Sequence, residues 1–261
     1  MARHLTPHVL NPQIDYLIAC RPMCFSMGNA IRWLKLQVSK IDPDVAEDDA
    51  KRELCESIDN FIQERINIAN LVITQKAALR IEDNEVVLTF GRHSSVERAL
   101  IHAHTRIGRK FSVIIIDEPY DKRGQVLAKA LAAEGISVTY CGDFGALRTH
   151  MQQASLVMLG AESMFNNGAM YAPCGTCDVA VVAKELGKQT EVLCETIQIT
   201  ERVATDSLTY NEIDPERSTA TSFRLLFDAT PGRYLSIVIT ELGSVQPTSV
   251  PELLHKLEES N

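Results

Sequence analysis

Four short segments of this 261-residue chain combine side chains that could handle a proton, a thiol or a phosphate. Gly91-Arg92-His93-Ser94-Ser95 follows an apolar run and opens onto a helical pattern. Two hydroxyls and free backbone amides could hold a phosphate at such a helix start. An ordinary helix cap, which needs only one of the serines, accounts for the same residues. Asp117-Glu118, after another apolar run, reads either as a general acid/base couple or as a strand end showing its acids to water. Gly160-Ala161-Glu162 follows a third run and makes Glu162 the best-placed carboxylate for chemistry. Cys174-Gly175-Thr176-Cys177 is the single C-x-x-C, and no nearby Cys or His pair completes a zinc set. His93, His102 and His104 are close in sequence but fall on different turns or faces, so no metal site is expected from them. Neither G-x-G-x-x-G nor G-x-x-x-x-G-K-[ST] occurs, which removes the usual dinucleotide and nucleoside-triphosphate signatures. No cofactor is expected. No Ser-His-Asp or Cys-His arrangement can be argued from spacing. Taken alone, these residues locate a ligand site without naming a reaction.

The elements that must position them change character once. Through residue 80 the pattern is helical: Met27, Ile31, Leu34 and Val38 recur at helical spacing, with Ser26 as the expected cap. After the break at Asp42-Pro43-Asp44, an apolar stripe of Leu54, Ile58, Phe61, Ile62, Ile68, Ala69 and Val72 marks a longer helix. From residue 81 the period shortens. Strands are predicted over 85–90, 111–116, 136–140, 155–159, 190–193 and 235–240, with helices over 94–106, 124–134 and 178–186. Strands apolar on both faces and alternating with helices imply a parallel sheet covered on both sides. The expected fold class is therefore α/β: a helical part over 1–80, then an open α/β domain with a mainly parallel sheet over 81–261. Such sheets bind ligands at the carboxyl ends of their strands, where the first three of these segments stand. Residues 206–222 read as a surface loop.

Composition narrows the classes. Lys plus Arg total 26 against 34 Asp plus Glu, a net charge of −8, so no basic excess is available to release counterions from nucleic acid. The longest apolar runs, such as Val113 to Ile116, are strand-length and far short of the roughly 18 residues of a membrane span. No apolar signal core follows the N-terminal charges, and the odd count of 7 cysteines argues for reduced thiols. The expectation is a soluble, cytoplasmic protein with no nucleic-acid or membrane partner.

Several segments together resemble the regulatory alpha, beta and delta subunit family of eukaryotic translation initiation factor 2B, and within it the delta pattern. Arg21-Pro22-Met23-Cys24-Phe25-Ser26-Met27-Gly28-Asn29-Ala30-Ile31-Arg32 is similar to its R-P-x-x-x-S-M-G-N-A-I-R segment. Leu193-Cys194-Glu195-Thr196, Ile239-Thr240-Glu241-Leu242-Gly243, and Pro247-Thr248-Ser249-Val250-Pro251 resemble it too. Asp228-Ala229-Thr230-Pro231 fits the D-x-T-P placed before its last strand. The likeness runs from about residue 10 to residue 255. Relative to the delta pattern, which carries a basic extension and further helices before the Arg21 segment, the helical part is expected to be incomplete. The S-R-P…E-G segment of that pattern is replaced by Glu118-Pro119-Tyr120-Asp121-Lys122-Arg123-Gly124.

The family shares a fold with sugar-phosphate isomerases, chiefly methylthioribose-1-phosphate isomerase, so the resemblance implies a Rossmann-like second domain. It also implies lost chemistry. Gly91 stands where the T-x-C-N thiol of those enzymes belongs, Glu162 replaces the aspartate of G-A-D-R-I, and Pro173 replaces the lysine of N-K-I-G-T. Acid/base isomerisation needs groups placed to take and give a proton, which glycine cannot do. No catalytic residue is expected; Arg21, Gly91, Arg92, Ser94, Ser95 and Glu162 would form a relic ligand pocket. The implied role is a regulatory subunit of the guanine-nucleotide exchange factor for initiation factor 2. It would assemble with the beta, alpha, gamma and epsilon subunits and sense the phosphorylated alpha subunit of factor 2. Leu225, Leu226 and Phe227 are the candidate subunit contact, or else a plain core segment. The alternatives of the same fold are a sugar-phosphate isomerase using Glu162 with Cys174 or Cys177, or a phosphate-ligand sensor near Gly91 to Ser95.

Overall fold

The computed structural model describes residues 6–42 and 44–259, and the chain forms two compact units that meet at Ala69 and Asn70. This division falls inside a helical run; the first strand begins later, at Val86.

In the first unit, a π-helical turn at Thr6–Leu10 leads into α1 (Asn11–Cys20), followed by α2 (Phe25–Lys40) and α3 (Glu47–Ile62). Three acids, Glu47, Asp48 and Asp49, occupy the first turn of α3, where the helix dipole favours negative charge. Trp33 of α2 stacks on Phe61 of α3 with ring centroids 4.1 Å apart. Because α2 begins at Phe25, Ser26 lies inside the helix, and the N-cap is Cys24 with no side-chain cap. The expected Ser26 cap is therefore corrected; its hydroxyl lies 3.4 Å from the Cys24 sulfur instead. Beyond α3, a π-helical segment at Gln63–Ile68 continues into α4 (Ala69–Ala78), as the absence of glycine and proline over this stretch predicts.

The second unit is built on a seven-stranded sheet. Its strands are β1 (Val86–Phe90), β2 (Ser112–Ile116), β3 (Ser137–Cys141), β4 (Leu156–Gly160), β7 (Gln189–Leu193), β10 (Ile237–Thr240) and β11 (Gly243–Val245). Their order is β11-β10-β7-β4-β1-β2-β3. All neighbours pair in parallel except β10 and β11. In register, Val87 lies opposite Val113 and Leu88 opposite Ile114. Alternation along the strands then divides the core. Leu88, Ile114, Ile116, Val157, Leu159 and Val192 face one side, with α7 (Leu147–Gln153) and α8 (Thr176–Glu185) packed on them. Val87, Val113, Ile115, Met158, Leu193 and Ile239 face the other, beneath α4, α5 (Ser94–His102) and α6 (Arg123–Ala133). Burial of each such aliphatic side chain contributes about 1.5–3 kcal/mol.

A second, four-stranded sheet was not legible in the sequence pattern. It has the order β8-β5-β6-β9, from β8 (Ile199–Thr200), β5 (Ser163–Phe165), β6 (Met170–Pro173) and β9 (Phe227–Thr230). The Asp228-Ala229-Thr230 segment, which does precede the strand at Ile237–Thr240, is thus itself a strand. Between β5 and β6 the chain turns at Gly168, φ +76°, where a Cβ would lie 2.4 Å from the Pro247 carbonyl oxygen. A 3-10 turn precedes the last helix, α9 (Val250–Glu259). The 206–222 stretch holds no regular element, as expected, apart from a single bridge between Ile213 and Leu225.

Candidate functional site

Counting only the parallel strands, the sheet order is 3-2-1-4-5-6, and the direction of winding reverses between β1 and β4. A ligand crevice belongs at that point, outside the carboxyl ends. The structure brings Gly91, Arg92, Ser94, Ser95 and Glu162 to this edge, while Arg21 lies in the first unit, where its N–H donates to the Leu17 carbonyl 3.2 Å away.

Gly91 leaves β1 with φ +57°, a left-handed turn that its N–H fixes by donating to the Ile116 carbonyl at 2.7 Å. Arg92 turns outward and pairs with Glu97 at 2.6 Å. His93 is the cap of α5: its Nδ1 accepts the Ser95 N–H at 3.3 Å. The amide offered to a phosphate in the sequence reading is therefore taken by an imidazole, and neither serine side chain caps the helix. Burial pushes the His93 pKa down, Glu162 and the Ala161 carbonyl pull it back, and Arg98 adds to the lowering. The ring is neutral, and with Nδ1 accepting, its proton belongs on Nε2.

This ring fills the switch point. A Cβ on Gly160 would lie 1.9 Å from His93 Cγ, so the imidazole rests directly on the glycine that ends β4. Gly160→Ala is expected to cost about 1–3 kcal/mol through forced displacement of the ring. Urea denaturation of G160A checks this, and the same change made in an H93A background, where the ring is gone, should cost much less. A cost that is the same in both backgrounds would show that the ring is not the obstacle.

Asp117 and Glu118 part company. Asp117 is only 1% exposed. It accepts the Tyr140 hydroxyl and the Glu118 N–H, both at 3.0 Å. Burial pushes its carboxyl upward against these bonds and one from the Gly124 backbone. A Cβ at Gly124 would meet its Oδ2 at 2.7 Å, so α6 needs glycine there. The expectation of two acids facing water fails for Asp117, because strand end, tyrosine and helix close around it. Glu118 is half-buried and pairs with Arg224 at 2.8 Å. Glu162 is exposed, with its N–H donating to the Tyr171 carbonyl at 2.9 Å.

The Cys174-Gly175-Thr176-Cys177 turn leads into α8. Asp228, reaching over from β9, accepts the N–H groups of Gly175 at 2.7 Å and Cys177 at 3.0 Å through one oxygen. Burial, and after it Asp228, pushes both thiols upward, Cys177 to about 11. Neither offers a thiolate near neutrality. Above the turn, Phe90 and Phe144 pack with centroids 5.5 Å apart; a Cβ on Gly175, φ +105°, would meet Phe144 at 2.4 Å and Phe90 at 3.0 Å. Among the described residues no group of three or more His, Cys, Asp or Glu side chains could hold a metal ion.

The strand ends of this edge thus deliver Asp117, Glu118, Glu162, Glu195 and Glu241, while two of its arginines, Arg92 and Arg224, are in ion pairs. Sequence reasoning missed His93 as a plug, Asp228 as a helix cap and Arg224 as a counter-ion; a glycine at the end of β4 was the one available sign of the first. Leu225, Leu226 and Phe227 are half-buried. Leu225 bridges Ile213, Leu226 donates to Glu212 and accepts from Cys174, and Phe227 stacks on Tyr171 at 4.7 Å.

Sheet order and crevice position define a Rossmann-like domain whose ligand crevice is occupied by its own side chains. The family model described as the initiation factor 2 subunit family matches residues 3–247, and the chain belongs to that family. It is 36% identical to translation initiation factor eIF2B subunit delta of Schizosaccharomyces pombe, covering 99% of this chain and 60% of that protein. It superposes with TM-score 0.89 and 52% identity on a chain of the tetrameric eIF2B-beta2-delta2 complex from C. thermophilum, covering 92% of this chain and 77% of that one. Ribose 1,5-bisphosphate isomerase of Thermococcus kodakarensis is 28% identical over 92% of this chain and 78% of its own. The chain therefore spans about three fifths of the length of the fission yeast relative.

Proposed function

We propose that the chain is a non-catalytic regulatory subunit of the guanine-nucleotide exchange factor for translation initiation factor 2. It works in the cytoplasm, pairs with the beta subunit through its Rossmann-like domain, and joins the alpha, gamma and epsilon subunits. In that assembly it senses the phosphorylated alpha subunit of factor 2. The observation that carries this reading is the likeness, at 52% identity, to a chain of a beta2-delta2 complex. No helix among the described residues is long and apolar enough to cross a membrane, which agrees with a translation factor. Leu225, Leu226 and Phe227, flanked by Ile213 and Phe223 at 55% and 58% exposure, are the proposed part of the pairing surface.

Several features support the absence of catalysis. Gly91 has no proton to exchange. Cys174 and Cys177 are held as thiols. His93 fills the crevice, and acids line its rim. Gly91, Arg92, Ser94, Ser95 and Glu162 remain, on this reading, the second unit's vestige of a sugar-phosphate site.

The test is affinity capture of the tagged chain from its own cells, with partners identified and native mass recorded. Recovery of the other exchange-factor subunits is expected. A lone chain or a homodimer, found reproducibly, would overturn the assignment. The isomerase reading would then be tested by turnover of a ribose phosphate compared with Glu162→Ala.

A further inference from the structure

Between β8 and β9 the chain makes a narrow arm. Asp214 N–H donates to the Arg224 carbonyl and Leu226 N–H to the Glu212 carbonyl, both at 2.9 Å, so residues 212–214 and 224–226 run side by side. At its base the arm is well tied: Asn211 donates to the Phe227 carbonyl at 2.6 Å and accepts its N–H at 3.2 Å. Further out, apolar contact gives way to charge. Ile213 and Phe223 are more than half exposed. The arm meets the loop between β2 and α6 through ions. Arg224 donates to Glu118 at 2.8 Å and to Asp214 at 2.6 Å; Arg217 donates to Asp121 and to Asp214, both at 3.0 Å. The two guanidiniums also lie over the Tyr120 ring, 4.8 Å (Arg224) and 5.4 Å (Arg217) from its centroid. Asp214, at 4% exposure, is enclosed by both arginines, and the Arg224–Glu118 pair is largely shielded, with side chains 21% and 16% exposed.

We propose that Arg217 and Arg224 form an ionic catch that holds the 212–226 arm closed on the loop after β2, so that ionic strength sets how often the arm opens. The closed state depends on five charges and one aromatic face, with little buried apolar area along the outer arm. Salt weakens such contacts, most of all the Arg217–Asp121 pair, whose side chains are each about a third exposed. The Arg224 contacts supply the more shielded half of the catch. Opening withdraws both guanidiniums and leaves Glu118 and Asp121 bare beside the already acidic carboxyl edge. The same chain segment that departs from the delta pattern, Glu118 to Asp121, supplies every contact of the catch outside the arm.

Hydrogen exchange followed by mass spectrometry on the full chain tests this. Arm amides at 213–226 are expected to exchange about tenfold faster in Arg224→Gln, with the amides of β1 and β4 unchanged. Glu118→Gln should act in the same direction, and the E118Q/R224Q pair should fall well short of the product of the single effects, because the two residues share one contact. In the wild-type chain, raising sodium chloride from about 0.05 M to about 1 M should accelerate the same amides, an effect the R217Q/R224Q variant no longer shows. Arm exchange indifferent to salt in the wild type, or equal in wild type and Arg224→Gln, would overturn the catch. The salt series needs no variant, so a misfolded substitution does not remove the test.

Discussion

Replacing Arg80 with methionine is expected to cost about 3–5 kcal/mol of folding stability at pH 7.5, the largest single-residue loss outside the hydrophobic core. Glu191 sits in the middle of β7, between Met158 of β4 and Ile237 of β10, and is 1% exposed. One of its oxygens is bound by the Arg80 guanidinium, which reaches in from the turn after α4; the other has no partner and no contact with solvent. Burial raises the Glu191 pKa, and Arg80 opposes that rise. Without the arginine, an ionised carboxylate would stand alone in an apolar sheet, which is far worse than never having had the pair. Two further results follow from the same physics. The loss in R80M should shrink as pH falls toward 5, because the unpaired Glu191 then takes up a proton more readily than in the unfolded chain. The R80M/E191L variant should regain most of the stability, since it removes the stranded charge. Urea denaturation of the three proteins at pH 5, 6 and 7.5 measures all of this. An R80M loss below about 1 kcal/mol, as for an exposed pair, would contradict it.

The second large effect is on pH dependence. Asp228 ties β9 of the small sheet to the N-terminus of α8, with Oδ2 accepting two backbone bonds and Oδ1 buried without a partner. Burial dominates and lifts its pKa to about 7; the backbone N–H groups of Cys177 and Gly175 oppose the rise, and Asp178 adds to it. The folded chain therefore holds a proton here that the unfolded chain has already released. Stability from this group is complete below the unfolded value of 3.8 and is lost as pH rises through about 7. The span corresponds to about 4 kcal/mol, as an order of magnitude. Asp228→Asn keeps an acceptor for the Gly175 and Cys177 N–H groups but cannot ionise. Its stability should change less between pH 5 and 8 than that of the wild type, and it should be the more stable protein at pH 8. Asp117, Glu191 and Glu195 are also raised by burial and slope the wild-type curve the same way, so the difference between the two curves isolates Asp228. Parallel curves would mean that Asp228 ionises in the ordinary range.

The parts of this protein that could be read from its sequence are those fixed by local periodicity. Val113 to Ile116 reads as a doubly buried strand because each residue packs on one of two covered faces, and β1, β4 and β10 carry the same mark, whereas the edge strand β3 is only partly covered and β7 begins with polar residues. The small sheet does not. β5 and β8 are three and two residues long, and β6 ends in a proline, so neither alternation nor length separates them from loop. At the crevice, the location followed from the rule for parallel sheets, but the contents did not. His93 was one histidine among three nearby, and only the pairing of β1 with β4 brings it against Gly160, 67 residues away in the chain. Asp228 and Gly175 are likewise joined only through the pairing of β6 with β9. The resemblance supplied the family from contiguous motifs such as Arg21 to Arg32 and Ile239 to Gly243. Contiguous motifs say nothing about which side chain lies across from which.

The sheet order also bears on how the chain is made. As residues emerge from N- to C-terminus, β2 adds beside β1, β3 beside β2, β4 on the free side of β1, then β7, β10 and β11 each beside the last. Every new strand docks on an edge that is open when it appears, and none has to be threaded between two strands already joined. Growth from the middle outward lets the nascent domain bury surface continuously while translation proceeds, and each addition extends a template that is already twisted and half covered. The small sheet is the exception in timing, because β6 waits for β9, more than 50 residues later, before its second edge is paired.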